Sequence, residues 1–198
     1  MDKPADSCPP PAGLPENIFL VGLMGAGKTS VGKVLARRFN KIFYDSDQEI
    51  ERSTGVKIPL IFEIEGESGF RNRESRLLEE LVGRRNIVLA TGGGAVLSAQ
   101  NRRLLADHGT VVYLRAAVSD LWQRTRHDKN RPLLQTADPQ GRLQELFEQR
   151  DPFYREIADI IIDTGNQGLG SLAHRIEQKL LQLGTSRRGT PGDALRCR

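Results

Sequence analysis

The segment GLMGAGKT, at residues 22–29, constrains the fold of this chain more than any other feature. It matches the pattern Gly-x-x-x-x-Gly-Lys-Ser/Thr, in which glycines let the backbone curl until successive N–H groups face one anion. An apolar run, predicted as a strand over residues 17–22, leads into it, and an amphipathic helical pattern follows at 28–39. A helix that begins at such a loop adds the positive end of its dipole. The segment predicts an α/β fold that binds nucleotide phosphates.

Individual residues of this loop have distinct predicted roles. Lys28 is expected to reach the β- and γ-phosphates, and the Thr29 hydroxyl is expected to bind Mg²⁺. The remaining predicted nucleotide contacts come from the loop and the first helical turn, at Gly25, Ala26, Gly27 and Ser30.

The loop alone leaves a kinase, a switch GTPase and a motor ATPase open. The chain has no Asn-Lys-x-Asp motif for reading guanine, which argues against a GTPase. It also has no run of four apolar residues ending in Asp-Glu, which argues against a motor or transporter ATPase. These absences favour a small-molecule kinase.

Short β-branched or aromatic runs alternate with longer helical patterns, which is typical of βαβ units and a parallel sheet. Strands are predicted at 17–22, 42–45, 87–90, 111–114 and 159–163. Helices are predicted at 28–39, 47–54, 68–81, 98–108, 118–126, 140–149 and 169–183. The polar stretch after residue 126 has no periodicity, and a long connection of this kind is often an active-site lid, here about 127–137.

The two ends of the chain differ in composition from the rest. Residues 1–15 contain five prolines, and residues 184–198 are rich in Gly, Ser, Thr and Arg. Both segments are predicted to be disordered, which leaves one domain over residues 16–183. Cys8 and Cys197 lie in these end segments without metal-ligand spacing, so two free thiols are expected.

Charge and hydropathy exclude several classes of partner. The net charge is +4, but much of the excess is in the C-terminal segment, so no nucleic-acid partner is expected. No apolar run approaches the roughly 20 residues of a membrane span, and no signal-peptide pattern opens the chain. A cytoplasmic protein, with no membrane partner, is therefore expected.

Two aspartates end the second predicted strand. In an open α/β sheet, ligands bind beyond the carboxyl ends of the strands, and residues two apart share a side of extended backbone. Asp45 is predicted to hold a Mg²⁺-bound water beside Thr29, and Asp47 to accept a proton from an attacking hydroxyl. The alternative is that one of them caps the following helix, and Asp47 could serve both purposes.

Two further segments carry candidate binding groups. Arg71 lies in FRNRE at 70–74, and arginine is the preferred fork for a carboxylate or a phosphate. The alternative is a solvated residue on a charged helix. Gly92, Gly93 and Gly94 follow the third predicted strand, which suggests that a ligand closely approaches the backbone.

Taken together, the ordered motifs resemble those of the shikimate kinase family, within the nucleoside-monophosphate-kinase-like P-loop group. The motifs cover nearly all of residues 16–183 and are GLMGAGKT (22–29), DSD (45–47), FRNRE (70–74), TGGGAV (91–96), RPLL (131–134) and RDPFYREIAD (150–159). The family commonly has Thr between the two aspartates, where this chain has Ser46.

The resemblance implies a fold and an activity. The implied fold is a three-layer α/β P-loop NTPase-type domain with a central parallel five-stranded sheet and a mobile lid. The implied reaction transfers the γ-phosphoryl of ATP to the 3-hydroxyl of shikimate, with Mg²⁺, in chorismate and aromatic amino-acid biosynthesis. The implied partners are ATP and shikimate, and a monomer is expected.

The resemblance also implies residue roles. Asp47 would bind the shikimate hydroxyls and act as base, while Arg71 and Arg150 grip the carboxylate, with Glu74 positioning Arg71. The glycine segment 92–94 would contact the substrate, Gly93 through its backbone. Three further side chains would contact the nucleotide: Arg131 at the phosphates, Arg124 stacked on adenine, and Gln167 after the last strand.

Two alternatives remain open at this point. One is a gluconate or nucleotide kinase on the same fold; paired arginines facing a carboxylate, together with Asp47, favour shikimate over it. The other is a P-loop regulatory or binding module without turnover.

Overall fold

The computed structural model describes residues 14–128, 131–165 and 167–188. Cys8, Cys197 and most of the two predicted disordered ends lie outside these residues, as do positions 129–130 of the predicted lid. One boundary changes: Leu14, which was assigned to the leader, is partly buried and packs against the main core.

The described residues form five strands and seven α-helices, with one or two helices after each strand. The strands are β1 (Ile18–Val21), β2 (Ile42–Asp45), β3 (Ile87–Ala90), β4 (Thr110–Arg115) and β5 (Ile160–Asp163). The helices are α1 (Lys28–Arg38), α2 (Ser46–Thr54), α3 (Ile58–Val82), α4 (Ala99–His108), α5 (Val118–Thr125), α6 (Pro139–Ile157) and α7 (Leu169–Arg188). Short 3₁₀ turns at Ala95–Leu97 and Pro132–Leu134 complete the order.

The strands form one parallel sheet in the order β2-β3-β1-β4-β5, flanked by helices. β1 and β3 are buried along their whole length, as expected for strands of a parallel sheet covered on both faces. From β1 the chain goes to β2 at one edge of the sheet, returns to β3 between β2 and β1, and then crosses to β4 on the other side of β1. This reversal opens a crevice at the carboxyl end of β1, where the phosphate loop lies. The predicted α/β fold with five parallel strands is confirmed.

Three helices extend several residues beyond their predicted bounds, and the extensions of α3 and α6 bear on the site. α3 starts at Ile58 rather than at residue 68, and it contains a break at Gly66, with φ 69° and ψ 179°. The break interrupts the periodicity, which is why the first half escaped prediction. α6 continues to Ile157 instead of ending at 149, because its buried stripe from Leu143 and Leu146 resumes beyond a buried arginine, Arg150.

The last helix confirms the predicted apolar stripe. Leu172, Ile176 and Leu180 are buried, and Leu183 packs on the core at its edge. α7 continues past Leu183 to Arg188, into the segment that was predicted to be disordered. None of the helices that the structure describes is long and apolar enough to span a membrane.

Candidate active site

A cavity of about 720 Å³ opens at the carboxyl ends of β1, β2 and β3. The phosphate loop, the start of α2, the glycine segment after β3, one face of α3, Arg150 of α6 and the lid all line it. Of the predicted site residues, those that line the cavity are Gly25, Gly27, Lys28, Thr29, Ser30, Asp45, Asp47, Arg71, Gly92, Gly93, Gly94, Arg124, Arg131 and Arg150. Ala26 and Gln167 are the two that do not line it.

The phosphate loop depends on its glycines. Gly22 has φ 139°, and a Cβ placed there would lie 2.5 Å from the Leu114 carbonyl oxygen at the end of β4. Gly27 has φ 93° and lies directly before α1, so it turns the chain into the helix in a conformation that L side chains avoid. Ala26 is buried, and its N–H donates to the Leu23 carbonyl within the loop, 3.2 Å away.

Lys28 reaches back over the loop from the first turn of α1. Its ammonium donates to the carbonyl oxygens of Gly22, at 2.7 Å, and Leu23, at 2.9 Å. Burial lowers the pKa of Lys28 to about 8, although the nearby carboxylate of Asp47 opposes the shift. Lys28 is therefore a cation held at the loop where nucleotide phosphates are expected.

Asp45 joins the phosphate loop to α2. Its Oδ2 accepts a hydrogen bond from the Thr29 hydroxyl at 2.6 Å, and its Oδ1 accepts from the backbone N–H groups of Asp47 and Gln48. Asp45 is therefore the N-cap of α2. The alternative that one of the two aspartates caps this helix is confirmed, and the suggestion that Asp47 is the cap is wrong. Because Asp45 satisfies the first turn, the Asp47 side chain lies in the cavity without a capping role.

The Thr29 and Asp45 oxygens fit a magnesium site. Mg²⁺ typically takes one or two protein oxygens and completes its shell with water and substrate phosphate. A hydroxyl and a carboxylate joined at 2.6 Å beside the phosphate loop supply this donor set. Within the described ranges, no group of three or more His, Cys, Asp or Glu side chains could hold a metal ion alone.

Asp47 lies between opposing charges. Burial and the adjacent Asp45 raise the pKa of Asp47, whereas Lys28, Arg131 and Arg71 lower it without cancelling the rise. A carboxyl with a raised pKa is a better proton acceptor than an ordinary one. The position suits a base at the centre of the cavity.

Arg71 is held in a fixed orientation by two glutamates of its own helix. Its Nη1 donates to Glu74 at 2.7 Å, and its Nη2 donates to Glu67 at 2.9 Å. Glu74 is fully buried, and its Oε1 has no hydrogen-bond partner among the described residues. Burial raises the pKa of Glu74.

Arg150 is buried more deeply than Arg71. Only 2% of it is exposed, and its Nε and Nη1 have no hydrogen-bond partner within the described part of the chain. Burial accordingly lowers the pKa of this guanidinium. A buried cation without full pairing is costly, so the geometry favours a ligand that brings a negative charge to the cavity wall.

The three glycines after β3 serve the side chains of the site. A Cβ on Gly92 would lie 2.2 Å from Glu74 Oε1 and 2.7 Å from Asp47 Oδ1, and a Cβ on Gly94 would lie 2.2 Å from Arg71 Cζ. The sequence predicted close approach of a ligand, and the structure shows that protein side chains already approach. The Gly92 N–H donates to the buried Ser46 hydroxyl at 2.7 Å, a contact that the sequence analysis missed.

The predicted adenine and lid residues are placed as follows. Arg124 donates to the carbonyls of Gly25 and Gly165, so it links the phosphate loop to the segment after β5. Gln167 donates to the Asp163 carbonyl at 3.0 Å, outside the cavity. Arg131 lies on the cavity wall and is paired with Asp128 at 2.9 Å.

Sequence reasoning missed the wall formed by α2 and the first half of α3. Lys57, Ile58 and Phe62, at the start of α3, line the cavity there, and Phe70 lines it beyond the break at Gly66. The signal was the apolar spacing of Ile58, Ile61 and Phe62 ahead of Gly66. Ile61 forms a small second core with Ile50 and Phe70 under this wall.

Comparison with known proteins gives a consistent result. A family model described as Shikimate kinase matches residues 24–181. A curated shikimate kinase of Chromobacterium violaceum is 64% identical over 165 residues, covering 83% of this chain and 90% of that protein. One from Nitrosospira multiformis is 63% identical over 164 residues, covering 83% and 84%.

Solved structures agree with the sequence comparisons. The structure of shikimate kinase from Acinetobacter baumannii in complex with shikimate is 52% identical and has a TM-score of 0.80, covering 88% of this chain and 96% of that one. A gluconokinase from Sinorhizobium meliloti, 20% identical with a TM-score of 0.61 over 90% of this chain and 99% of its own, shares the fold alone. On its motifs, its fold and these likenesses, the chain belongs to the shikimate kinase family.

Proposed function

We propose that this chain transfers the γ-phosphoryl group of ATP to the 3-hydroxyl of shikimate, giving shikimate 3-phosphate and ADP. One observation carries the proposal: a complete phosphate loop and a buried, partly unpaired Arg150 line the same cavity. The loop suits the phosphates of the donor, and Arg150 with Arg71 suits the carboxylate of the acceptor. The step belongs to chorismate and aromatic amino-acid biosynthesis.

The donor end acts through charge and position. The backbone N–H groups of residues 25–30 and the Lys28 ammonium would bind the phosphates, with Arg131 reaching them from the lid. Lys28 would exchange its contacts with the Gly22 and Leu23 carbonyls for phosphate oxygens. We assign Arg124 to stacking on adenine, because it bridges the phosphate loop and the segment after β5.

The proposed contact of Gln167 with adenine has less structural support than that of Arg124. Its amide donates to Asp163, and its oxygen accepts from Arg175. Both contacts would have to break before the side chain could reach a base.

The metal is proposed to be Mg²⁺. Thr29 and Asp45 would hold it, directly or through water, beside the β- and γ-phosphates. When bound there, it would neutralise charge on the transferring phosphoryl group.

The acceptor end orients the hydroxyl. Arg71 and Arg150 would bind the shikimate carboxylate, and the N–H groups of Gly93 and Gly94 would contact the ring substituents. Asp47 would accept the proton of the 3-hydroxyl while the oxygen of that hydroxyl bonds to the γ-phosphorus of ATP. The bond from that phosphorus to the β,γ-bridging oxygen breaks, and ADP leaves with the electron pair.

The discriminating experiment measures ADP release with shikimate, gluconate and nucleoside monophosphates in parallel. We expect release only with shikimate. Turnover with gluconate would favour a gluconate kinase. ATP binding without turnover on any acceptor would indicate a regulatory module.

We also propose that the protein acts as a monomer in the cytoplasm. A single chain supplies both ends of the cavity, and ATP is available in that compartment. The molar mass in solution, measured by light scattering, tests the first statement.

A further inference from the structure

The carbonyl of Gly93 is bound by a residue that no role assigned so far has used. Tyr154 is fully buried in α6, and its hydroxyl donates to the Gly93 carbonyl across 61 positions of sequence. Gly93 itself lines the cavity. The contact therefore ties the acceptor end of the site to the middle of α6.

The other carbonyls of the glycine segment are fixed by the turn that follows. Gly92 O accepts from the Ala95 N–H at 3.2 Å, and Gly94 O accepts from the Leu97 N–H at 3.0 Å. Of these three carbonyls, Gly93 O alone is bound by a side chain among the residues that the structure describes. Because a peptide unit is planar, fixing this carbonyl also fixes the direction of the Gly94 N–H.

The N–H groups of this segment are available to a ligand. Those of Gly93 and Gly94 donate to no acceptor among the described residues, whereas the Gly92 N–H is taken by Ser46. Gly94 is buried and Gly93 partly buried. Buried N–H groups are normally paired, so the unpaired N–H of Gly94 indicates the direction in which the segment meets a ligand.

Tyr154 is itself held rigidly. Its ring stacks on that of Tyr113 in β4, with the centroids 4.8 Å apart. The Tyr113 hydroxyl donates to Asp151 at 2.8 Å, and Asp151 is also paired with Arg155 at 2.6 Å. The stack leaves the Tyr154 ring little freedom to leave Gly93.

Tyr154 also lies one helical turn after Arg150, so both side chains project from the same face of α6. Burial raises the pKa of Tyr154, with only partial opposition from Arg150, so the hydroxyl keeps its proton and remains a donor. One helix face thus supplies a cation to the cavity and a support to the glycine segment.

We propose that Tyr154 is a positioning residue for the acceptor: it fixes the Gly93 carbonyl and so aims the Gly93–Gly94 N–H groups at shikimate. This inference rests on the proposed function. It predicts an effect confined to the acceptor, because the phosphate loop has its own supports.

The test compares two variants that each lose one buried hydroxyl from the same aromatic stack. Tyr154→Phe keeps the ring but frees the Gly93 carbonyl and removes the hydroxyl beside Arg150. Tyr113→Phe, the matched control, releases only Asp151. In Tyr154→Phe we expect the KM for shikimate to rise about five- to tenfold, as for the loss of one hydrogen bond, with little change in kcat or in the KM for ATP. Tyr113→Phe should leave both KM values unchanged.

Melting temperatures and equilibrium shikimate binding complete the comparison. Both variants should lose a similar small amount of thermal stability, so a purely structural role would move their kinetics alike. An unchanged shikimate KM in Tyr154→Phe, or an equal rise in Tyr113→Phe, would overturn the inference. Absence of shikimate-dependent turnover in the unmodified protein would instead refute the proposed function.

Discussion

Among single residues, Asp47 shows the conflict between activity and stability most clearly. Burial and the neighbouring Asp45 raise its pKa, so its ionised form is disfavoured in the folded protein. Asp47→Asn keeps the shape but cannot accept a proton, so kcat should fall by about 10²–10⁴ while ATP affinity changes little. Steady-state kinetics and calorimetric ATP titration measure the two effects. Lost ATP binding with surviving turnover would move Asp47 to the metal site.

The same variant has a predicted stability signature. A carboxyl whose pKa is raised on folding destabilises the folded state once pH exceeds its ordinary pKa of about 3.9, and fully so above the shifted value. Asp47→Asn should therefore melt higher than the parent at pH 7, and the difference should shrink as pH falls toward 4. A lower melting temperature at pH 7 would show that pairing with Lys28 outweighs the burial of Asp47.

Gly92 is a position where one methyl group should disrupt the site. A Cβ there would lie 2.2 Å from Glu74 Oε1, which is buried, and 2.7 Å from Asp47 Oδ1. Gly92→Ala should therefore displace these carboxylates and reduce kcat/KM for shikimate by about 10²-fold or more. Gly170→Ala is the matched control, because a Cβ at Gly170 meets nothing within 4 Å. Similar kinetics for both variants would contradict the crowding at Gly92.

At the scale of elements, the connection between α5 and α6 carries the lid prediction. Arg131 is paired with Asp128 on the cavity wall, and it would exchange this partner for a phosphate of ATP. ATP and shikimate together should slow hydrogen exchange in peptides covering residues 131–137, because closure excludes water. Arg131→Ala should lower kcat by about 10²–10³, as for loss of one electrostatic donor, with shikimate binding retained. Equal exchange with and without ligands would reduce this segment to a surface loop.

The elements also show how far the sequence alone can lead. The strands, the phosphate loop and α1 were predicted because short apolar runs and a glycine pattern are local signals. The first half of α3 and the second half of α6 were missed because Gly66 breaks one period and the buried Arg150 interrupts another. Local patterns cannot show that an arginine is buried, since that depends on what the rest of the chain brings beside it.

The site was predicted unevenly for the same reason. Residues in contiguous motifs, such as Lys28 and Asp47, were placed at the cavity. Asp45 as helix cap and Tyr154 as support for Gly93 depend on contacts that the fold creates. Tyr154 and Gly93 lie 61 positions apart, so no local pattern pairs them. Asp45 and Asp47 lie two positions apart, and a pattern does not say which of them caps the helix.

For the molecule as a whole, the pKa of Lys28 predicts how nucleotide binding depends on pH. Burial lowers this pKa to about 8, so the ammonium loses its proton as pH rises through that value. ATP affinity, measured by titration calorimetry from pH 6 to about 9.5, should therefore weaken above pH 8. Lys28→Met should bind ATP more weakly throughout and show no step there. A parent protein whose affinity is flat across this range would refute the role of the Lys28 charge.

The most direct test concerns the negative charge of the carboxylate that Arg71 and Arg150 are proposed to bind. The measurement compares kcat/KM for shikimate and for its methyl ester, which keeps the ring and hydroxyls but removes the carboxylate charge. Loss of charge-assisted hydrogen bonds to two guanidinium groups should reduce kcat/KM by about 10²-fold or more. Equal values for the acid and the ester would contradict the assignment of this end of the cavity to the acceptor's carboxylate.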